Sequence, residues 1–102
     1  MALTGKQKRI LKARGQTLAD GCQLGQAGIS ESFIAHLSDL LDRRELVKVR
    51  FTETEGAART AQADEVGAAV GAQGGGILGR TMLLYRANES LDAKQRVLPA
   101  DA

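Results

Sequence analysis

Apolar positions recur along the 102-residue chain with two different periods, and the switches between them predict its elements. Over Glu31–Arg44, Phe33, Ile34, Leu37, Leu40 and Leu41 follow an i, i+1, i+4, i+7, i+8 pattern, the single stripe of an amphipathic helix. Ser30 is a suitable N-cap for it, and Arg43 and Arg44 stand at its negative end. His36 and Asp39 lie off the stripe, so His36 reads as a surface residue. The next six residues, LVKVRF, alternate strictly. Val47, Val49 and Phe51 share one face of a strand; Leu46, Lys48 and Arg50 share the other.

The remaining elements are weaker. Thr4 is placed to cap a helix over residues 5–14, with Leu3, Gln7, Ile10, Leu11 and Arg14 in one arc and Gly15 marking the end. On another side Lys8, Arg9 and Lys12 fall within about 100° of one another, with Lys6 at the border. Residues 21–24 read as a short strand in which Cys22 is a small core residue. Thr52 and Glu55 have capping-box spacing before an alanine-rich helix over 57–72. Ala58, Ala61, Val66, Ala69 and Val70 give this helix a thin apolar face, and Gly67 weakens it, so it is expected to be the least stable of the three. Residues 73–76 read as flexible, followed by strands at 77–78 and 81–86 around a Gly79-Arg80 turn. The expected order is α–β–α–β–α–β–β: one domain over 1–87, then a polar tail over 88–102 from which Val97-Leu98-Pro99 is able to dock at an edge.

Composition narrows the functional classes. The chain is 43% apolar and 25% charged, the balance of an ordinary globular domain. Its net charge of +2 conceals an asymmetry: the first 50 residues hold nine Lys/Arg against five Asp/Glu. A basic front half suits an anionic partner such as nucleic acid, although a solvated charged face gives the same count. Phe33, Phe51 and Tyr85 are the three aromatics, too few for recognition built on stacked bases. One Cys and one His do not make a zinc site, and no cofactor is expected. No run of 18 apolar residues exists to span a membrane, and no apolar leader follows the N-terminus, so a cytoplasmic protein is expected. Residues 74–81 spell a near P-loop with Arg80 where that motif needs Lys. A helix precedes it and a β-rich run follows, the reverse of the P-loop context, and nucleotide hydrolysis is rejected. With an isolated His, an unpartnered Cys and no carboxylate pair placed together, an enzyme is not expected.

The stretch Leu24-Gly25-Gln26-Ala27-Gly28-Ile29-Ser30 joins the first strand to the central helix. Its two glycines leave backbone N–H groups uncovered beside a helix N-terminus, a plausible phosphate contact. Alone, a G-x-x-G is a weak signal, since strand-to-helix turns use glycine routinely.

In combination with three other landmarks it is specific. These are Leu3-Thr4-Gly5-Lys6-Gln7-Lys8, Glu45-Leu46-Val47-Lys48-Val49 and Gly79-Arg80-Thr81-Met82-Leu83-Leu84-Tyr85-Arg86. In this order they resemble the bacterial YhbY-type proteins, the stand-alone form of the CRM domain (chloroplast RNA splicing and ribosome maturation). The resemblance implies an α/β (α+β) fold: a four-stranded mixed sheet packed by helices, similar to the C-terminal domain of translation initiation factor three. It implies RNA binding, with ribosomal RNA of the precursor large subunit as partner and a role in ribosome assembly. Its glycine loop is likened to the G-x-x-G loop of KH domains, which clamps an RNA backbone. Carried onto this chain, the loop is Gly25, Gln26, Ala27 and Gly28, and the basic surface is Lys6, Lys8, Arg9 and Lys12 with Lys48 and Arg50. Two departures stand out. Gln26 and Ala27 supply no cation, and Gly74, Gly75 and Gly76 stand where β-branched residues are more usual. A monomer is expected. The competing reading is a protein-interaction module docking on a ribosomal or pre-ribosomal protein through the second helix or the sheet face.

Overall fold

The computed structural model describes residues 3–25, 28–53 and 55–99. The elements are α1 (Gly5–Thr17), β1 (Cys22–Leu24), α2 (Glu31–Arg44), β2 (Leu46–Phe51), α3 (Ala57–Val70), β3 (Gln73–Leu78) and β4 (Thr81–Tyr85). One four-stranded sheet has the order β1-β2-β4-β3. β1 and β2 run parallel, joined through α2; β2–β4 and β4–β3 are antiparallel. This is the expected order of elements and the expected mixed sheet.

Strand alternation divides the core in two. Val47, Val49, Phe51, Met82 and Leu84 point to the α2/α3 side and pack with Leu37, Leu40, Leu41, Val66 and Val70. Leu46, Leu83 and Tyr85 point the other way and pack with Leu11 of α1 and Val97. The sheet is therefore covered on both faces, which is why β4 is buried along its whole length. Ser30 caps α2 through its hydroxyl, which accepts from Phe33 N at 3.1 Å. Thr4 and Gln7 form a reciprocal capping box on α1.

Four local expectations are corrected. Gly15 does not end α1; the helix runs on to Thr17 with Gly15 buried inside it. A Cβ on Gly15 would lie 2.4 Å from Leu83 Cδ1, so glycine is required where α1 crosses the sheet. Thr52 and Glu55 do not box α3, whose N-cap is Gly56 with φ 57° and no side-chain cap. The Thr52 hydroxyl instead donates to Leu24 O at 3.2 Å, tying β2 to the end of β1. The glycine run is not a flexible link but the body of β3, with a bulge between Gly74 and Gly76. A Cβ on Gly75 would come within 3.1 Å of Leu83 Cβ and 3.7 Å of Leu11 Cβ, so its absence lets α1 settle on this edge.

The fourth correction concerns the polar tail. Glu45, fully buried and at φ 61°, lies between α2 and β2. Its carboxylate accepts from Asn88 N (2.7 Å), Val97 N (2.9 Å) and Arg96 Nε (2.8 Å). Its own carbonyl accepts from Arg86 N at 2.8 Å. These bonds fasten residues 86–97 to the domain, and Val97 joins the core. Next to it the Arg86 guanidinium donates to Ser38 O, Val70 O and Asp42, binding the end of β4 to both α2 and α3.

Breaking a buried charge that is fully paired costs about 3 kcal/mol or more. Glu45→Gln is therefore expected to lower unfolding free energy by about 3 kcal/mol in urea titration. Amide exchange should speed up across residues 88–97 before it does in β2. A loss under about 0.5 kcal/mol, the range of an ordinary surface change, would contradict this role.

Candidate functional site

The glycine turn is built on two different requirements. Gly28 has φ 67°, and its N–H donates to Gly25 O at 3.0 Å, closing the turn ahead of α2. Gly25 lies against Thr52, where a Cβ would stand 3.0 Å from the hydroxyl. An added Cβ at Gly28 would meet nothing within 4 Å, so the turn is open to its surroundings on that side. Gln26 and Ala27, the middle of the expected loop, lie outside the described residues. The first turn of α2 already carries Glu31 beside its positive end, which lowers the pull of that terminus on an anion.

α1 presents its cations outward. Leu11 and Gly15 face the sheet, and Lys6, Lys8, Arg9 and Lys12 are exposed. None of them joins an ion pair among the described residues. Lys8, Arg9 and Lys12 line a cleft of about 260 Å³ whose other wall is Gly74, Gly75 and Gly76 of β3.

Lys48 and Arg50 are differently employed. The Lys48 ammonium is partly buried and donates to Gly15 O at 3.1 Å and Leu18 O at 3.4 Å. It thus supplies the cap that the C-terminus of α1 lacks in sequence. Arg50 Nε donates to Asp20 at 2.6 Å across the loop that follows α1. Each cation is compensated locally, although the Arg50 side chain remains 45% exposed.

The sheet order separates the expected site into two parts. The glycine turn follows β1 at one edge, whereas Lys8, Arg9 and Lys12 stand over β3 at the other. Three strand spacings, about 14 Å, lie between those edges. Lys48 and Arg50 occupy β2, between the two, on the face that α1 covers. A ligand touching both parts must be extended, as a polynucleotide is.

Sequence reasoning missed the second wall of the cationic cleft. Three consecutive glycines looked like a break in structure, and only the packing of Leu11 against Gly75 shows that helix and strand face one another. The near P-loop at 74–81 is a strand and a hairpin turn, with β4 following it. His36 is exposed, and no group of three or more His, Cys, Asp or Glu among the described residues is arranged to hold a metal ion. No helix among them is long and apolar enough to cross a membrane.

Comparison with known proteins gives consistent results. The model of the CRS1 / YhbY (CRM) domain matches residues 3–86. "Probable RNA-binding protein YqeI" of Bacillus subtilis (strain 168) is 32% identical over 97 residues, covering 95% of this chain and 99% of that protein. "Probable RNA-binding protein PA4753" of Pseudomonas aeruginosa is 33% identical over 88 residues, covering 86% and 85% respectively. The solution structure of the hypothetical protein SAV1595 from Staphylococcus aureus superposes with a TM-score of 0.79 at 28% identity, covering 89% of this chain and 95% of that one.

Cys22 completes the chemical inventory. Burial pushes its thiol up to about 11 from 9.0. The thiolate that would react is therefore scarce in the folded state near neutrality. Iodoacetamide at pH 8 should leave Cys22 unmodified in the native protein and label it in urea. Because the folded pKa is the higher one, this group's contribution is constant below about pH 9 and falls as pH rises from there towards 11. Native-state labelling as fast as in urea would refute the burial argument.

Proposed function

The chain belongs to the CRS1 / YhbY (CRM) domain family, and from that membership we propose that it is a non-catalytic RNA-binding protein. The observation that carries the reading is the set of unpaired cations on the outer face of α1. Two relatives with RNA binding in their names, matched over most of their length, support it. The proposed ligand is ribosomal RNA of the precursor large subunit, with a role in ribosome assembly.

Lys6, Lys8, Arg9 and Lys12 attract phosphates, with an affinity that falls as salt rises. The turn from Gly25 through Gln26 and Ala27 to Gly28 lets the RNA backbone approach closely and offers N–H groups. Lys48 and Arg50 add positive potential between these contacts while remaining bonded to Gly15, Leu18 and Asp20. With Tyr85 buried and the two phenylalanines at least partly so, base stacking contributes little. Recognition therefore favours the shape and backbone of the RNA over its sequence.

Filter binding to large-subunit ribosomal RNA fragments tests the electrostatic part. Changing Lys8, Arg9 and Lys12 together to Glu should weaken binding at least tenfold. If three phosphate contacts are lost, the slope of log affinity against log salt should flatten by about 2. Unchanged affinity would refute it. Gly28→Asp is the cleaner probe of the turn, since its Cβ position is open and Asp tolerates positive φ. A several-fold weakening with an unchanged melting temperature is expected, and equal affinity would reduce the turn to architecture. A protein-docked factor would instead remain in its large assembly after RNase treatment of a cell extract.

A further inference from the structure

We propose that the cleft between α1 and the β3 glycines is a second RNA-backbone site, separate from the glycine turn. Phosphates there meet Lys8, Arg9 and Lys12 while the chain runs along the side-chain-free edge of β3. The inference rests on the RNA-binding reading and adds to it a path for the strand.

The argument turns on which of the three glycines the fold needs. Gly75 is needed, because Leu83 and Leu11 occupy the space of its side chain. Gly76 is needed too, since its φ is 114° and the Lys12 stem lies 3.0 Å from where a Cβ would be. Gly74 is different. Nothing stands within 4 Å of its Cβ position, and its φ is not in the positive range. Glycine inside a strand is destabilising by about 0.5–1 kcal/mol relative to alanine. The fold gives no return for that loss at Gly74; close approach by an outside backbone does.

Three further observations place the ligand. β3 pairs with β4 alone, so its outer edge has backbone groups free for a partner. The cations facing Gly74 across the cleft have no acidic partner among the described residues. On the opposite side of β3 a cleft of about 320 Å³ against α3 includes Gly74 but also Asp64. A polyanion is thereby directed to the α1 side.

Gly74→Val tests the inference, because a β-branched residue suits an open strand position and should preserve or raise the melting temperature. Binding to large-subunit ribosomal RNA fragments should weaken about tenfold, the equivalent of about 1.4 kcal/mol, while Gly74→Ala has a smaller effect. In the unaltered protein, RNA titration followed by amide NMR should shift Gly74, Gly76, Lys8 and Lys12. Equal affinity for a folded Gly74→Val variant would overturn the second site and leave RNA binding standing. So would shifts confined to the glycine turn and the start of α2. Absence of any binding by the unaltered protein at low salt would overturn the RNA-binding reading, and this site with it.

Discussion

One buried carboxylate holds the two ends of this fold together. Glu45 sits where α2 stops and β2 begins, and its backbone accepts the amide that follows β4. Its side chain takes three hydrogen bonds from residues 88, 96 and 97. The second core depends on this arrangement. Val97 can lie against Leu11 and Tyr85 only because Glu45 has turned the chain back across the sheet. A solitary charge in such a place would be prohibitive; this one is tolerable because an arginine and two amides are fixed around it.

The same logic sorts the positive charges. Arg86 and Arg96 hold elements together, Lys48 terminates a helix, and Arg50 answers Asp20. Lys6, Lys8, Arg9 and Lys12 do none of these things. The basic front half of the chain thus contains two populations, one internal to the architecture and one turned to solvent. The bare count of charges does not distinguish them. Only the second is available for a strong interaction with a polyanion, and the crossing of α1 over the sheet decides where that interaction occurs.

Elements governed by their own periodicity were legible in the sequence. The stripe of α2 and the alternation of β2 gave both their existence and their bounds, because each buries one face against one neighbour. What escaped were positions whose meaning lies in distant contacts. Gly15 looks like a helix terminator until Leu83 is seen filling the space of its missing side chain. Glu45 looks like solvated charge until Arg96, 51 residues on, closes over it. Gly74, Gly75 and Gly76 look like slack chain because glycine has poor strand propensity, yet the hairpin with β4 fixes them as strand. The glycine turn and the cations of α1 were both visible; their separation to opposite edges of the sheet was not, since strand order is a tertiary property.

The half-buried Lys48 gives the protein a division between reversible and permanent electrostatics. At physiological ionic strength mobile ions screen charge over about 8 Å in water. Such screening reaches the solvent-facing lysines of α1 but acts much less on an ammonium held against two helix carbonyls beneath them. Brine therefore dissociates what the surface holds and leaves the scaffold intact. A protein built this way can be stripped of bound polyanion by concentrated salt and recovered native on dilution, its affinity tuned by the medium and its shape indifferent to it.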